Sequence, residues 1–173
     1  MNSDIRKMID KVNNFGKSPI NEMRKSFMDY LREKLPTTPE YVIQDWFYKN
    51  LKDRTQNDIN ELINDYKDVE WELKKNYKIN YEMFNEETQN RLKEREGGKQ
   101  WNNLEGDLER HQTQKELIIK NGLPTEPIII LDLNGTYELI EGWHRTIQLF
   151  SLFPKGFEYP NVYVGKANKS IYM

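Results

Sequence analysis

The chain has 173 residues, 26 Lys and Arg against 28 Asp and Glu, and no cysteine. The near balance of charge holds in both halves and argues against a dedicated duplex-DNA binder, which needs a basic excess. Without cysteine, disulfides and thiol chemistry are excluded, and a zinc site resting on only two histidines is disfavoured. The chain has no long apolar run and no signal-peptide core, so a cytoplasmic protein without membrane contact is expected.

The first 98 residues predict a helical region. Ser18-Pro19 and Thr38-Pro39 each combine a helix N-cap residue with a proline suited to the first helical position. Apolar side chains recur at helical spacing through residues 20–73, which favours amphipathic helices packed on one another. Residues 74–96 are strongly charged and predict an exposed helix or a mobile arm.

Gly97-Gly98 is the strongest break in the pattern, and it predicts a boundary between the region 1–98 and a second domain, 99–173. In this second part, a helix over 107–120 leads into the turn Gly122-Leu123-Pro124. The two parts together predict an α+β fold, in which a helical N-terminal region precedes a small domain with a short mixed sheet.

A β-hairpin follows that turn. Pro127 precedes the run 128–131, whose β-branched residues are typical of a strand covered on both faces. Asn134-Gly135 is a strong signal for a two-residue turn because both positions need positive φ. Residues 136–140 predict the return strand, and 162–164 predict a final one.

The corner after the hairpin carries most of the functional information. It reads Glu141-Gly142-Trp143-His144-Arg145-Thr146, and the apolar spacing predicts a helix from Thr146 onward. Gly142 allows a backbone angle that other residues resist, or a close approach by a ligand. A glycine, cationic side chains and a hydroxyl at a helix start suit a phosphate, which the helix dipole also favours.

Each corner residue also has a purely structural interpretation. His144 could cap local carbonyl groups, and Arg145 could pair with Glu141 or Glu138 rather than with phosphate. Thr146 could be only an N-cap, Trp143 a core residue rather than a nucleobase platform, and Glu141 a solvated acid rather than a metal ligand. The other histidine, His111, is expected at a solvated helix position.

At these residues the C-terminal part resembles the ParB/sulfiredoxin-like superfamily. The resemblance covers roughly residues 99–173 and rests on four matches to the pattern of that superfamily: Gly122-Leu123, Glu126-Pro127-Ile128, Asn134-Gly135-Thr136-Tyr137 and Glu141-Gly142-Trp143-His144-Arg145. It implies nucleotide or phosphate binding by Gly142, Trp143, His144, Arg145 and Thr146. Members of this superfamily include partition proteins, sulfiredoxins, serine kinases and annotated nucleases.

Departures from the pattern of the superfamily exclude or disfavour some of these activities. Trp143 stands where sulfiredoxins have their nucleophilic cysteine, so sulfur–phosphoryl chemistry is excluded. The chain lacks the helix-turn-helix region of partition proteins, so a role in chromosome segregation is disfavoured. The acid before Gly142 is closer to the serine kinases. By that resemblance Glu141 would bind magnesium or substrate and act with His144 in catalysis, while Glu126 and Glu116 are candidates for a further catalytic glutamate.

Two functional classes remain open. One is a magnesium-dependent phosphotransferase or nucleotide hydrolase that binds ATP, ADP or another nucleotide at the corner. The other is a non-catalytic or nuclease-like module that binds nucleic acid or a protein partner. The abundance of Asn, Lys, Ile and Tyr is typical of AT-rich coding sequence and suggests phage origin. The sequence does not indicate an oligomeric state.

Overall fold

The computed structural model describes residues 20–95, 105–168 and 170, which form an α+β fold with a four-stranded mixed sheet. The chain divides into two compact units between Glu70 and Trp71. The predicted boundary at Gly97-Gly98 and the predicted cap at Ser18-Pro19 both lie outside the described residues. Among the described helices, none is long and apolar enough to cross a membrane.

The first unit is helical, as predicted. It contains α1 (Ile20–Lys34), α2 (the consecutive segments Glu40–Val42, Ile43–Tyr48 and Lys49–Leu51, the middle one π-helical) and α3 (Gln56–Tyr66). Edge-to-face packing of Trp46 on Tyr66, with centroids 5.1 Å apart, joins α2 to α3.

The starts of two of these helices differ in their capping. A reciprocal capping box between Thr55 and Asp58 begins α3. The predicted cap at Thr38 is wrong, because Pro39 occupies the N-cap position of α2 without a side-chain hydrogen bond. The Thr38 side chain is instead buried.

Residues 74–96 differ from the prediction of a helix or arm. The chain forms the strand β1 (Glu70–Ile79), a 3-10 turn (Tyr81–Met83) and only then a helix, α4 (Glu86–Glu94). Trp71 and Tyr77 of β1 are partly buried and Ile79 is fully buried, whereas Leu73 is exposed, so the alternation is interrupted in the middle of the strand, where Asn76 has φ of 49°. Trp71 of β1 lies against Gly165, where an added Cβ would be 2.7 Å from the indole ring.

The second unit continues with α5 (Glu105–Asn121), β2 (Ile128–Asp132), β3 (Tyr137–Glu141), α6 (Trp143–Leu152) and β4 (Phe157–Lys166). The strand order is β1-β4-β2-β3, with β2 antiparallel to β3 and parallel to β4.

The predicted hairpin between β2 and β3 is confirmed. Asn134 and Gly135 have φ of 60° and 93°, which is the backbone geometry that favours this dipeptide. The Leu133 amide donates to the Thr136 carbonyl at 2.8 Å, and the Asp132 carboxylate accepts from the Gly135 amide at 2.7 Å.

One hydrophobic core holds the second unit together. Ile128, Ile130 and Leu139 contribute to it from the sheet, and all three are fully buried. The helices contribute Leu92 from α4, Ile118 from α5, and Ile147 and Leu149 from α6. The burial of all of 128–131 fits the prediction of a strand covered on both faces. The core therefore fixes the start of α6 relative to β2 and α5, and these three elements build the site.

Candidate functional site

The corner between β3 and α6 is made by Gly142. This residue has φ of 94° and is the N-cap of α6, so the helix begins at Trp143 rather than at Thr146. A Cβ at position 142 would lie 2.9 Å from Ile128 Cγ1 and 3.4 Å from Arg145 Nη2. Glycine is therefore needed both for the left-handed angle and for close approach to β2. The sequence suggested an unusual backbone angle or a close approach by a ligand at Gly142; the angle is left-handed, and the close approach is to the protein's own strand β2.

Arg145 connects the first turn of α6 to the start of β2. Its Nη2 donates to the carbonyl of Pro127 at 2.9 Å. Its Nε is buried and makes no hydrogen bond. A buried guanidinium N–H without a partner is costly. The sequence suggested Glu141 or Glu138 as the partner of Arg145, whereas the hydrogen bond that holds this side chain goes to the Pro127 carbonyl.

Arg145 lines a groove of about 420 Å³ between the end of α5 and the turn before β2. Polar side chains in its wall include Gln114, Asn121 and Glu126, and apolar ones include Leu117 and Leu123. Like Arg145 Nε, the Gln114 Oε1 atom is buried without a hydrogen-bond partner. The groove thus combines a cation, an acid, amide side chains and apolar surface, a mixture that is typical of small-ligand sites.

The two histidines of the chain meet between α5 and α6. His111 Nε2 lies 3.2 Å from His144 Nδ1, and His111 Nδ1 is hydrogen-bonded to Gln148 Nε2. His111 is only 3% exposed, so the prediction of a solvated position is wrong. The partner that buries it, His144, is 33 residues away in the chain. His144 itself is partly exposed.

The remaining corner residues have distinct surroundings. Trp143 packs against the core, donates from Nε1 to the Ile140 carbonyl at 3.2 Å, and has the Arg95 guanidinium 5.4 Å from its ring centroid. Thr146 is fully buried, and its hydroxyl makes no hydrogen bond. Because Gly142 is the N-cap, the interpretation of Thr146 as an N-cap is wrong.

Three acids were candidates from the sequence, and the structure separates them. Glu126 lines the groove together with Arg145. Glu141 ends β3, opposite Ile129, and is not among the described residues that line the groove. Glu116 is exposed on α5 and is also outside that lining. Of these three acids, Glu126 is therefore the one that shares the groove with Arg145, where a phosphate site is expected.

A magnesium site at Glu141 stays a prediction. Within the ranges that the structure describes, no group of three or more His, Asp or Glu side chains is arranged to hold a metal ion. Three acidic side chains are not required for such a site, because magnesium is usually held by one or two carboxylates together with the phosphates of a substrate.

A second cavity, of about 340 Å³, lies between α4 and α6. Its wall includes Tyr81, Leu92, Lys93, Phe150 and Pro154. The described residues of its wall include one cation, Lys93, and none of the corner residues 141–146, so Lys93 provides a control for Arg145.

The sequence did not indicate Gln114 as part of the groove, nor the cluster that His111 forms with His144 and Gln148. His111, Gln114 and Ile118 recur at intervals of three and four and so share one face of α5. That spacing is a signal for a packed face, but it was hidden because two of the three residues are polar.

No family model, no curated protein and no solved structure matches this chain.

Proposed function

We propose that this chain binds a nucleotide or a related phosphate ester in the groove beside the corner, with Arg145 as the main contact for the phosphate. The observation that carries the proposal is the position of Arg145, which is held by the Pro127 carbonyl at the edge of a groove of about 420 Å³. The volume is in the range of small-ligand sites, roughly 300–1,000 Å³.

Charge and geometry support a phosphate as the ligand. An arginine has five N–H donors in a planar arrangement that matches the oxygens of a phosphate. One of these donors is used by Pro127, and the Nε donor is buried without a partner. Gln114, Leu117 and Leu123 offer polar and apolar surface for the remainder of the ligand. The resemblance to the ParB/sulfiredoxin-like superfamily at Gly142–Arg145 favours the same assignment.

The proposal extends to chemistry through Glu126. A phosphotransferase or nucleotide hydrolase needs a carboxylate near the transferred phosphate, either to accept a proton or to bind magnesium. Glu126 lines the same groove as Arg145 and is exposed to solvent, so it is the described residue best placed for this role. Catalysis of this kind depends mainly on positioning and electrostatics, so one acid and one arginine form a minimal arrangement.

The test is calorimetric titration with ATP, CTP and their diphosphates, each with and without magnesium. We expect binding that weakens about 10- to 100-fold in Arg145→Lys, because the planar pair of donors is lost while the charge is kept. Lys93→Ala, in the second cavity, is the matched control and should bind as the wild type does. The proposal fails if no nucleotide binds, or if Arg145→Lys binds as tightly as the wild type.

A protein partner is the second candidate, favoured by apolar exposure on α5. Leu117 is 50% exposed and lines the groove, and Ile119 is 67% exposed on the same helix. Leu117 and Ile119 are two positions apart and so lie on different faces of the helix; the surface offered to a partner is therefore the groove, where Leu117 lies together with Leu123. This function is preferred if the titrations show no nucleotide binding and Leu117→Ser abolishes capture of a partner that the wild type retains.

A further inference from the structure

Two side chains of β4 hold the segment that enters β2. The Tyr159 hydroxyl donates to the Glu126 carbonyl at 2.9 Å, and Asn161 Nδ2 donates to the Thr125 carbonyl at 2.8 Å. The pairing of β4 with β2 begins at Val162, so both hydrogen bonds lie just before the ladder. The side chains of β4 therefore attach the segment at the point where the backbone pairing starts.

Both hydrogen bonds act on the main chain of Glu126 itself. The Thr125 carbonyl belongs to the peptide group before Glu126, and the Glu126 carbonyl belongs to the peptide group after it. Because each peptide group is planar, Asn161 and Tyr159 anchor this residue on both sides and leave its two backbone angles little freedom.

The sequence of the segment explains why side chains are needed to hold it. Residues 122–127 belong to neither a helix nor a strand, and Pro124 and Pro127 have no amide hydrogen to donate. Glu126 is also exposed to solvent. A functional side chain on irregular backbone is placed less precisely than one on a helix or strand, unless its surroundings fix it.

We infer that Tyr159 and Asn161 are positioning residues, which hold the main chain of Glu126 so that its carboxylate shares the groove with Arg145. This inference rests on the proposed function, because it assigns how the acid of that site is placed. Arg145 itself is bonded to the next carbonyl along the chain, that of Pro127. The acid and the arginine are thus attached to the same short piece of backbone.

Burial makes Tyr159 the firmer of the two anchors. Its side chain is fully buried in the core of the second unit, where Phe157 packs edge-on with ring centroids 6.3 Å apart. A ring in a close-packed core keeps one orientation, and water competes little for its hydrogen bond. Asn161 is only partly buried, so Asn161→Ala supplies a variant that leaves the core intact.

The first test measures order at Glu126 directly. Relaxation of its ¹³Cα–¹Hα pair gives an order parameter, for which a rigid backbone has about 0.85 and a flexible one less than about 0.6. We expect the rigid value in the wild type, a partial fall in Tyr159→Phe and in Asn161→Ala, and the flexible value when both are combined. Tyr81→Phe is the matched control, because the Tyr81 hydroxyl donates to the Gln89 carbonyl at 2.6 Å beside the other cavity, and it should keep the rigid value.

Affinity for ATP with magnesium tests whether the two anchors act through the acid. We expect the combined variant, Tyr159→Phe with Asn161→Ala, to bind about tenfold more weakly than the wild type, and Tyr81→Phe to bind as the wild type does. In a chain that also carries Glu126→Gln, the same two substitutions should weaken binding by less than about twofold, because the carboxylate that they position is gone. Equal weakening in both backgrounds would overturn the inference, since a general effect on the fold does not depend on Glu126.

The two readouts keep this inference apart from the proposed function. If the wild type binds no nucleotide, the proposed function fails, while the order parameter still decides whether the two side chains hold Glu126. A rigid value in the combined variant overturns the inference whether or not nucleotide binds. A flexible value with unchanged affinity overturns the positioning role.

Discussion

Replacing Gly142 by alanine tests how the corner of the site is built. Gly142 has φ of 94°, and an added Cβ would lie 2.9 Å from Ile128 Cγ1 and 3.5 Å from Ile128 Cα. The left-handed conformation costs an L-residue about 1–2 kcal/mol. Crowding in a packed core adds about 1–3 kcal/mol. Ile128 is fully buried and so has little room to move.

Gly135 provides a matched control for this substitution. Its φ is 93°, almost the same as that of Gly142, and no heavy atom lies within 4 Å of an added Cβ. Gly135→Ala therefore carries only the backbone strain, about 1–2 kcal/mol. The difference between the two variants isolates the close approach of the corner to β2, and we expect it to be about 1–3 kcal/mol.

Urea unfolding followed by tryptophan fluorescence measures both variants. With a slope of about 1–3 kcal/mol per molar urea, the extra cost of Gly142→Ala lowers the midpoint by about 1 M relative to Gly135→Ala. Equal midpoints for the two variants would refute the close-approach argument. The added methyl also lies 3.4 Å from Arg145 Nη2, so nucleotide binding should weaken in Gly142→Ala and not in Gly135→Ala.

Three further substitutions test separate parts of the account. Thr146→Val removes a buried hydroxyl without a partner, so it should leave stability unchanged or raise it by about 1–2 kcal/mol; a loss of stability in urea would show that the hydroxyl is satisfied. Burial and, second, the hydrogen bond with Tyr137 raise the pKa of Tyr77. As the pH rises above about 10, Tyr77 therefore ionises in the unfolded chain before it ionises in the folded protein, and the free energy of unfolding falls. Tyr77→Phe should reduce that fall, and equal losses between pH 9 and 11 would contradict it. Hydrogen bonding to Arg32 lowers the pKa of Glu40 from 4.5 to about 2, so the stability that this pair contributes is present above pH 4.5 and is lost as the pH falls toward 2. In Glu40→Gln the free energy of unfolding should therefore fall less between pH 4.5 and 2 than in the wild type, and the difference should be small because the pair is exposed. A larger fall in Glu40→Gln than in the wild type would contradict the pairing.

Local signals made the hairpin and the corner predictable from sequence. Asn134-Gly135 sets the turn through its own backbone preference, and 128–131 consists of residues suited to a buried strand. Gly142 was recognised as a residue with an unusual angle, and its φ of 94° follows that expectation. The turn and the angle at Gly142 follow from local backbone preference, whereas the contact of Gly142 with Ile128 and the start of α6 at Trp143 were not predicted.

The errors arose where distant contacts decide the structure. β1 was taken as part of a helix because Val69 and Leu73 are four residues apart, whereas pairing with β4 selects the strand. The two short alternations, Trp71 with Leu73 and Tyr77 with Ile79, were the available signal for it, although Lys75 interrupts them. His111 was assigned a solvated helix position by default, and only the fold brings His144 against it.

The measurement closest to the central claim is an amide ¹H–¹⁵N titration of the full chain with ATP, in parallel with CTP. We expect shifts concentrated at 122–126 and 142–145, which carry the groove and the corner, and a loss of those shifts in Arg145→Lys. Shifts concentrated around Lys93 and Phe150, or no shifts with either nucleotide, would contradict binding at the groove.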